Sequence, residues 1–242
     1  MLEKKVTETV VVDTPVAETR PGNFWEQYSR PIIYVGSAII LLIAAWYAYQ
    51  NFVVAPKEKE ASELVFTAEN LFDKMAVTGF NKDSVNLVIN GGSVEGAKVT
   101  GLLKVVSNYG GTAAGNRAKY MVGASYLHIK EFDKAIKYLK DFDANGASQV
   151  QSKAYVMLGH AYAEQKKTSD ALDYYKKAAT VNEKDEFFAA DALMIAAKYS
   201  DATGNSKEAV SLFQKLKERY PTNAAVQSGE IDKYLAKHGI LD

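Results

Sequence analysis

Apolar and polar positions alternate along this chain in two distinct patterns. From Pro31 to Pro56 there is no charged residue at all. The stretch IIYVGSAIILLIAAWYAYQNFVV is apolar all round rather than on one face. After Pro56 the pattern changes to stripes. In KEKEASELVFTAENLFDKMAV, residues Ala61, Leu64, Ala68, Leu71, Phe72 and Met75 recur at steps of three and four, which predicts an amphipathic helix. Gly79, Asn81, Asn90, Gly91 and Gly92 interrupt it, leaving room for a short turn of helix near Val85 to Ile89. A second helix is expected from about Val94 to Asn108, with Gly110 and Gly111 ending it in a left-handed conformation. Residues 1–22, rich in Val, Thr, Glu and Pro, lack a helical period and read as a disordered tail. The expected division is therefore a tail over 1–30, a transmembrane helix over 31–56, a linker helix with capping helices or a degenerate further repeat over 57–110, and a helical domain over 111–242.

The apolar run has the length of a membrane span. As a helix, residues 32–54 extend roughly 34 Å at ~1.5 Å per residue, against a hydrocarbon core of about 30 Å. Phe24, Trp25 and Tyr28 precede it, and Trp46, Tyr47, Tyr49 and Phe52 close it, as amphipathic rings do at headgroup level. A cleaved signal peptide fits less well. The leader before the run is long, and the Val53-Val54-Ala55 cleavage pattern would leave Pro56 just after the cut. Orientation is undecided by charge: Arg20 and Arg30 flank one side, Lys57, Lys59 and Lys74 the other. Ala44 and Ala48 share a helix face, as do Ser37 and Ala45. Such a face lets another membrane helix come close, although small residues are also simply common in these helices.

The domain after the anchor repeats itself. RAKYMVGASYLHIKEFDKAIKYLKDF aligns with SKAYVMLGHAYAEQKKTSDALDYYKKAA. Gly123 falls on Gly159, Tyr126 on Tyr162, Ala135 on Ala171 and Leu139 on Tyr175, each shifted by 36 residues. A third unit follows a further 38 residues on, with Ala197, Ala209 and Phe213 in register and Pro221 closing its second helix. The pattern of a small residue, an aromatic three later, an Ala twelve later and a bulky residue four beyond that resembles the tetratricopeptide repeat (TPR). The small residue and the Ala lie where paired helices cross, so larger side chains would part the axes. The third unit departs from the pattern, with Ser200 at the aromatic position and Tyr199 one residue early. The fold class expected is all-α: a single N-terminal transmembrane helix followed by a TPR helical-hairpin solenoid. Its repeats cover about 113–146, 148–183 and 186–221, with a capping helix near Thr222 to His238.

Composition removes most chemistry. The 29 basic and 29 acidic residues cancel, so no strongly basic patch draws nucleic acid. There are no cysteines, and His128, His160 and His238 are too scattered for a metal site. No nucleophile motif, phosphate-cradling loop or paired-histidine spacing occurs, so neither an enzyme nor a cofactor is expected. The carboxylates fall on polar helix faces beside lysines, as in Glu131–Lys134 and Glu183–Lys184.

In a TPR stack the first helix of each unit lines the concave groove. By that resemblance the lining holds Arg117, Tyr120, Ala124 and His128, then Lys153, Val156, His160 and Glu164, then Asp191, Met194, Lys198 and Asp201. The Lys and Asn with which some TPR domains grip a C-terminal carboxylate are replaced here by Tyr120, Ala124, Val156 and His160. The groove suits an extended or helical peptide. The same side chains could instead cover helix ends, and TPR domains also bind through edges and convex faces.

A wider resemblance covers the whole chain. One anchor near residue 30, a charged linker helix and a C-terminal TPR domain resemble the YfgM family, ancillary subunits of the bacterial Sec translocon. The runs SNYGGTAAGNRAKYMVG and FWEQYSRPIIYV are similar to the Bacteroidota branch. This resemblance implies an inner-membrane protein with a cytoplasmic N-terminus and periplasmic repeats. Its implied partners are the SecYEG channel and a membrane-anchored periplasmic chaperone of the PpiD type. The alternative is a TPR adaptor of another membrane complex, facing the cytoplasm.

Overall fold

The structure, a computed structural model, describes residues 24–94 and 96–240. It divides into two compact units, residues 1–52 and 53–242. In the first unit, helix α1 runs Phe24–Tyr49. It starts earlier than the apolar run alone suggests and carries Pro31 in its interior. Residues 24–30, read from sequence as tail, are thus helical, while residues 1–23 lie outside the described residues. The helix is long and apolar enough to cross a membrane, and none of its most apolar stretch is buried by protein. A π-helical turn, Gln50–Val54, follows.

The second unit is built of antiparallel helices. α2 (Ala55–Thr78) and α3 (Lys82–Asn90) come first, then a hairpin of β1 (Gly91–Val94) and β2 (Ala97–Thr100), then α4 (Leu102–Tyr109). The hairpin corrects the expectation of a helix from Val94. Strand pairing runs from Gly91↔Thr100 to Val94↔Ala97, which buries Val99. Gly91 ends α3 at φ 84° and Gly96 turns the hairpin at φ 82°, conformations that exclude a continuing helix. The final turn of α4 differs from expectation too. Gly110 is right-handed at φ −58°, and the chain passes directly into α5. There Thr112 caps the first turn, its Oγ1 accepting from the Gly115 N–H at 3.0 Å. Glu58 of α2 adds a second cap from far along the chain. Its carboxylate accepts from the Ala113 and Ala114 N–H groups, the latter at 3.0 Å, which also sets a negative charge on the positive end of α5.

Three hairpins follow: α5 (Ala113–His128) with α6 (Phe132–Lys140), α7 (Ser148–Glu164) with α8 (Thr168–Thr180), and α9 (Glu186–Ala202) with α10 (Ser206–Arg219). The crossing points hold the residues that the repeat register puts there. A Cβ on Gly123 would meet Leu139 Cγ at 2.6 Å, and one on Gly159 would meet Tyr175 Cε1 at 2.4 Å. Ala135, Ala171 and Ala209 on the second helices are fully buried, as is Ala197, which holds the small-residue position of the third hairpin. The aromatic positions pair across the first two hairpins, Tyr126 with Tyr138 at 5.8 Å and Tyr162 with Tyr174 at 5.4 Å. In the third hairpin Ser200 is buried where the aromatic would stand, with no hydrogen-bond partner for its hydroxyl. The displaced Tyr199 instead reaches back to Tyr175, 5.3 Å away edge-on, so the departure from the pattern serves the contact between units.

Beyond α10 the chain turns at Pro221 into two short helices, α11 (Ala224–Gln227) and α12 (Glu230–Lys237), instead of one continuous cap. Gly229, left-handed at φ 71°, breaks them. Tyr234 of α12 stacks on the fully buried Phe213 at 4.6 Å, and Lys237 and His238 both bond Asp201. Glu183 likewise pairs across the stack, with Lys215 and Arg219 and not with its neighbour Lys184.

The turn inside each hairpin uses one left-handed residue: Lys130 at φ 65°, Lys166 at φ 59° and Gly204 at φ 80°. A side chain in this region carries a cost of about 1–2 kcal/mol, which glycine avoids at the expense of some chain entropy. Lys166→Gly is therefore expected to stabilise the domain by roughly 0.5–1 kcal/mol. A lower urea midpoint for this variant would show that the lysine side chain contributes more than its backbone strain costs.

Candidate functional site

The groove face of α5 begins with residues whose partners come from elsewhere. Arg117 is exposed, and its Nε lies 3.6 Å from Glu69 of α2. Tyr120, half-buried, tilts against Phe142 at 5.3 Å, and burial raises its hydroxyl pKa. Phe142 belongs to the loop between α6 and α7. That loop is held by Asn116, whose Oδ1 accepts from the Asp143 N–H at 3.0 Å while its Nδ2 donates to the Asp143 carbonyl. Asn145 and Gly146, at φ 48° and 86°, bring the loop round to α7. Between this loop, α2 and α5 opens a cavity of about 390 Å³. Phe72, Tyr120, Met121, Phe142 and Val150 supply its apolar wall, with Glu69, Asp73, Arg117 and Asp143 around them.

The other residues placed on the groove by sequence lie outside this cavity. His128 is exposed on one side, with its ring flat against Phe80 at 3.8 Å, and this partial burial lowers its pKa. Ala124 is buried, so it lines nothing. Lys153 holds its ammonium 5.4 Å from the Phe188 ring. Val156 and Met194 are half-buried and pack on the core. His160 is open on one side, yet its Nδ1 lies 2.8 Å from Tyr175 Oη. Partial burial holds this imidazole below its ordinary pKa, against the opposing pull of Glu164. Lys198 pairs with Glu230 of α12 at 2.9 Å, and that bond raises its pKa. Lys198 thus also ties the cap to the stack.

Of the twelve residues expected to line the groove, only Arg117 and Tyr120 share the cavity. Among its other walls, Asp73, Phe142, Asp143 and Val150 were not singled out from sequence, and Phe72 was read only as part of the apolar stripe of α2. A signal was present in the loop sequence DFDANGAS, where an aromatic stands among turn residues with no helical period to bury it. Among the described residues no group of three or more His, Cys, Asp or Glu could hold a metal ion.

Residues 152–185 and 191–223 match models of the tetratricopeptide repeat. These are the second and third hairpins, including the one whose aromatic position is altered. A crystal structure of the MamA protein superposes with a TM-score of 0.50 at 18% identity, covering 74% of this chain and 85% of that one. Another crystal structure of MamA gives a TM-score of 0.48 at 19% identity, covering 70% and 85%. At such identity the likeness concerns the fold alone. No curated protein gave a significant match. The fold is all-α in class and carries TPR repeats, and such repeats indicate a scaffold for protein–protein interaction.

Proposed function

We propose that this protein is a membrane-anchored TPR scaffold, chaperone-like in its work, that binds proteins at the Sec translocon on the periplasmic side of the bacterial inner membrane. The observation that carries the reading is the joining of one apolar span to a repeat domain whose groove opens a cavity at Tyr120. The similarity in architecture to the YfgM family supports the translocon as the place and SecYEG and a PpiD-type chaperone as the partners. The N-terminus lies in the cytoplasm on this reading, and residues 57–242 lie in the periplasm. The span holds the protein beside the channel, through the face that Ala44 and Ala48 share. The groove, from Arg117 and Tyr120 past His128, Lys153, Val156 and His160 to Met194 and Lys198, receives a partner or an emerging chain. Tethering raises the effective concentration at that second, weaker contact.

Photo-crosslinkers at Ala44 and at Tyr120 separate the two contacts. The expected adducts are a channel subunit at Ala44, and a chaperone or a translocating chain at Tyr120. If neither position gives such an adduct, the translocon reading fails and an adaptor of another membrane complex takes its place. Protease protection in spheroplasts decides the side of the membrane independently.

A further inference from the structure

The geometry points to a specific kind of occupant for the cavity at Tyr120: a peptide segment of a partner protein that carries a large apolar side chain flanked by lysine or arginine. This inference rests on the groove being a protein-binding site and names the chemistry it selects.

The cavity has an apolar floor and an acidic rim. Met121 is buried at its base, while Phe72, Tyr120 and Phe142 present ring surface. A volume of about 390 Å³ lies at the small end of ordinary ligand pockets, which suits one or two side chains and not a folded surface. Three carboxylates, Glu69, Asp73 and Asp143, stand around it against a single cation, Arg117, which already faces Glu69. Asp73 and Asp143 are exposed and carry no ion pair among the described residues. An apolar group entering here therefore does so beside unmatched negative charge, and a basic neighbour on the same segment supplies the match. This is the reverse of a site for a terminal carboxylate.

The walls are held before anything binds. Asn116 clamps the loop carrying Phe142 and Asp143 by two hydrogen bonds, and Glu58 caps the start of α5. A preformed site loses less ordering entropy on binding. Two other occupants fit worse. Residues 1–22 of this chain carry Glu3, Glu8, Asp13 and Glu18 against Lys4, Lys5 and Arg20, so they bring no excess of positive charge. A second copy could offer the exposed Phe187, but Asp185 and Glu186 precede it and would set acid against acid.

The test uses the full chain in nanodiscs of zwitterionic lipid, with empty nanodiscs as the blank, and a short dye-labelled peptide read by fluorescence anisotropy. The peptide has a central Leu-Phe, lysines on both sides and blocked ends. It should bind, and binding should weaken as salt is raised. Asp73→Asn and Asp143→Asn should each weaken it roughly threefold, as expected for loss of one partly solvated charge pair. Val150→Trp, which fills the cavity from its mouth, should abolish binding while the circular dichroism stays unchanged. Peptides with Glu in place of Lys, or Ser in place of Leu-Phe, should not bind.

Equal binding of the Lys and Glu peptides would overturn the proposal, as would indifference to both Asp→Asn changes. So would a preference for a peptide with a free C-terminal carboxylate, or a concentration-dependent dimer that Val150→Trp dissolves. The translocon reading is scored separately by the Ala44 adduct. An Ala44 adduct without peptide binding leaves that reading standing and sinks this one; peptide binding without any channel or chaperone adduct does the opposite.

Discussion

Replacing Gly159 by Leu is expected to lower the stability of the repeat domain by about 1–3 kcal/mol or more, through overpacking. Even a methyl group at this position has nowhere to go. An added Cβ would lie 2.4 Å from Tyr175 Cε1 and 2.5 Å from its Cδ1. The Tyr175 ring cannot easily yield, since it is buried, bonded to His160 and packed edge-on against Tyr199. Gly159→Ala should therefore destabilise as well, although alanine favours a helix by about 1 kcal/mol over glycine. Gly123→Ala should cost less. Its added Cβ would meet the aliphatic side chain of Leu139 at 2.6 Å, and a Leu can change rotamer where a pinned ring cannot. A leucine at the exposed Asp173 of α8 should change stability by no more than about 0.5 kcal/mol. Thermal melts of the four variants give the order directly. A melting temperature for Gly159→Leu equal to that of Asp173→Leu would mean that the helix crossing has been misplaced.

Removing residues 1–56 is expected to change the protein from one that needs detergent to one that stays in solution, with its helical signal and its melting behaviour retained. The most apolar stretch of α1 is exposed among the described residues: Leu42 is 71% exposed and Ile40 67%. Water is a poor environment for such a surface, and a hydrocarbon layer is a good one. The repeat domain loses nothing from its core by the cut. One of its two buried clusters runs from Ala61 of α2 to Ala135 of α6 and the other from Leu139 to Leu235, so neither includes a residue before Lys57. A chain starting at Lys57 keeps Glu58, so the cap on α5 survives. Recovery of the full chain in the soluble fraction after carbonate washing would defeat the anchor. Aggregation of the shortened chain would show that the domain depends on residues before Lys57.

Much of the architecture could be read from sequence because its causes are local and periodic. An uncharged run long enough for a bilayer needs no knowledge of what surrounds it. The 36-residue shift that superposes Gly123 on Gly159 and Ala135 on Ala171 records the same helix crossing made twice, and steric demand at a crossing permits few residue types. The third unit was harder to read, since Ser200 and Tyr199 break the aromatic register. The structure supplies the reason in the Tyr175–Tyr199 contact between neighbouring hairpins.

What sequence could not show are arrangements made by residues far apart in the chain. The stretch from Val94 to Thr100 looked like helix because Ala97-Lys98-Val99 suits either conformation; glycine backbone angles and the burial of Val99 decide it. His128 was read as a groove residue, yet Phe80 lies flat against its ring. The cavity depends on Glu69 and Phe72 of α2 meeting Tyr120 of α5 and Phe142 of a loop that Asn116 holds in place. Its apolar floor and acidic rim share no period and no motif. Sequence by itself determined the long apolar helix, the hairpin repeats and the kind of residue at each crossing, because one helix meeting another imposes a recurring steric rule. Only tertiary structure decided which charges gather round which opening, because that depends on loops and capping contacts that bring together segments with no common register.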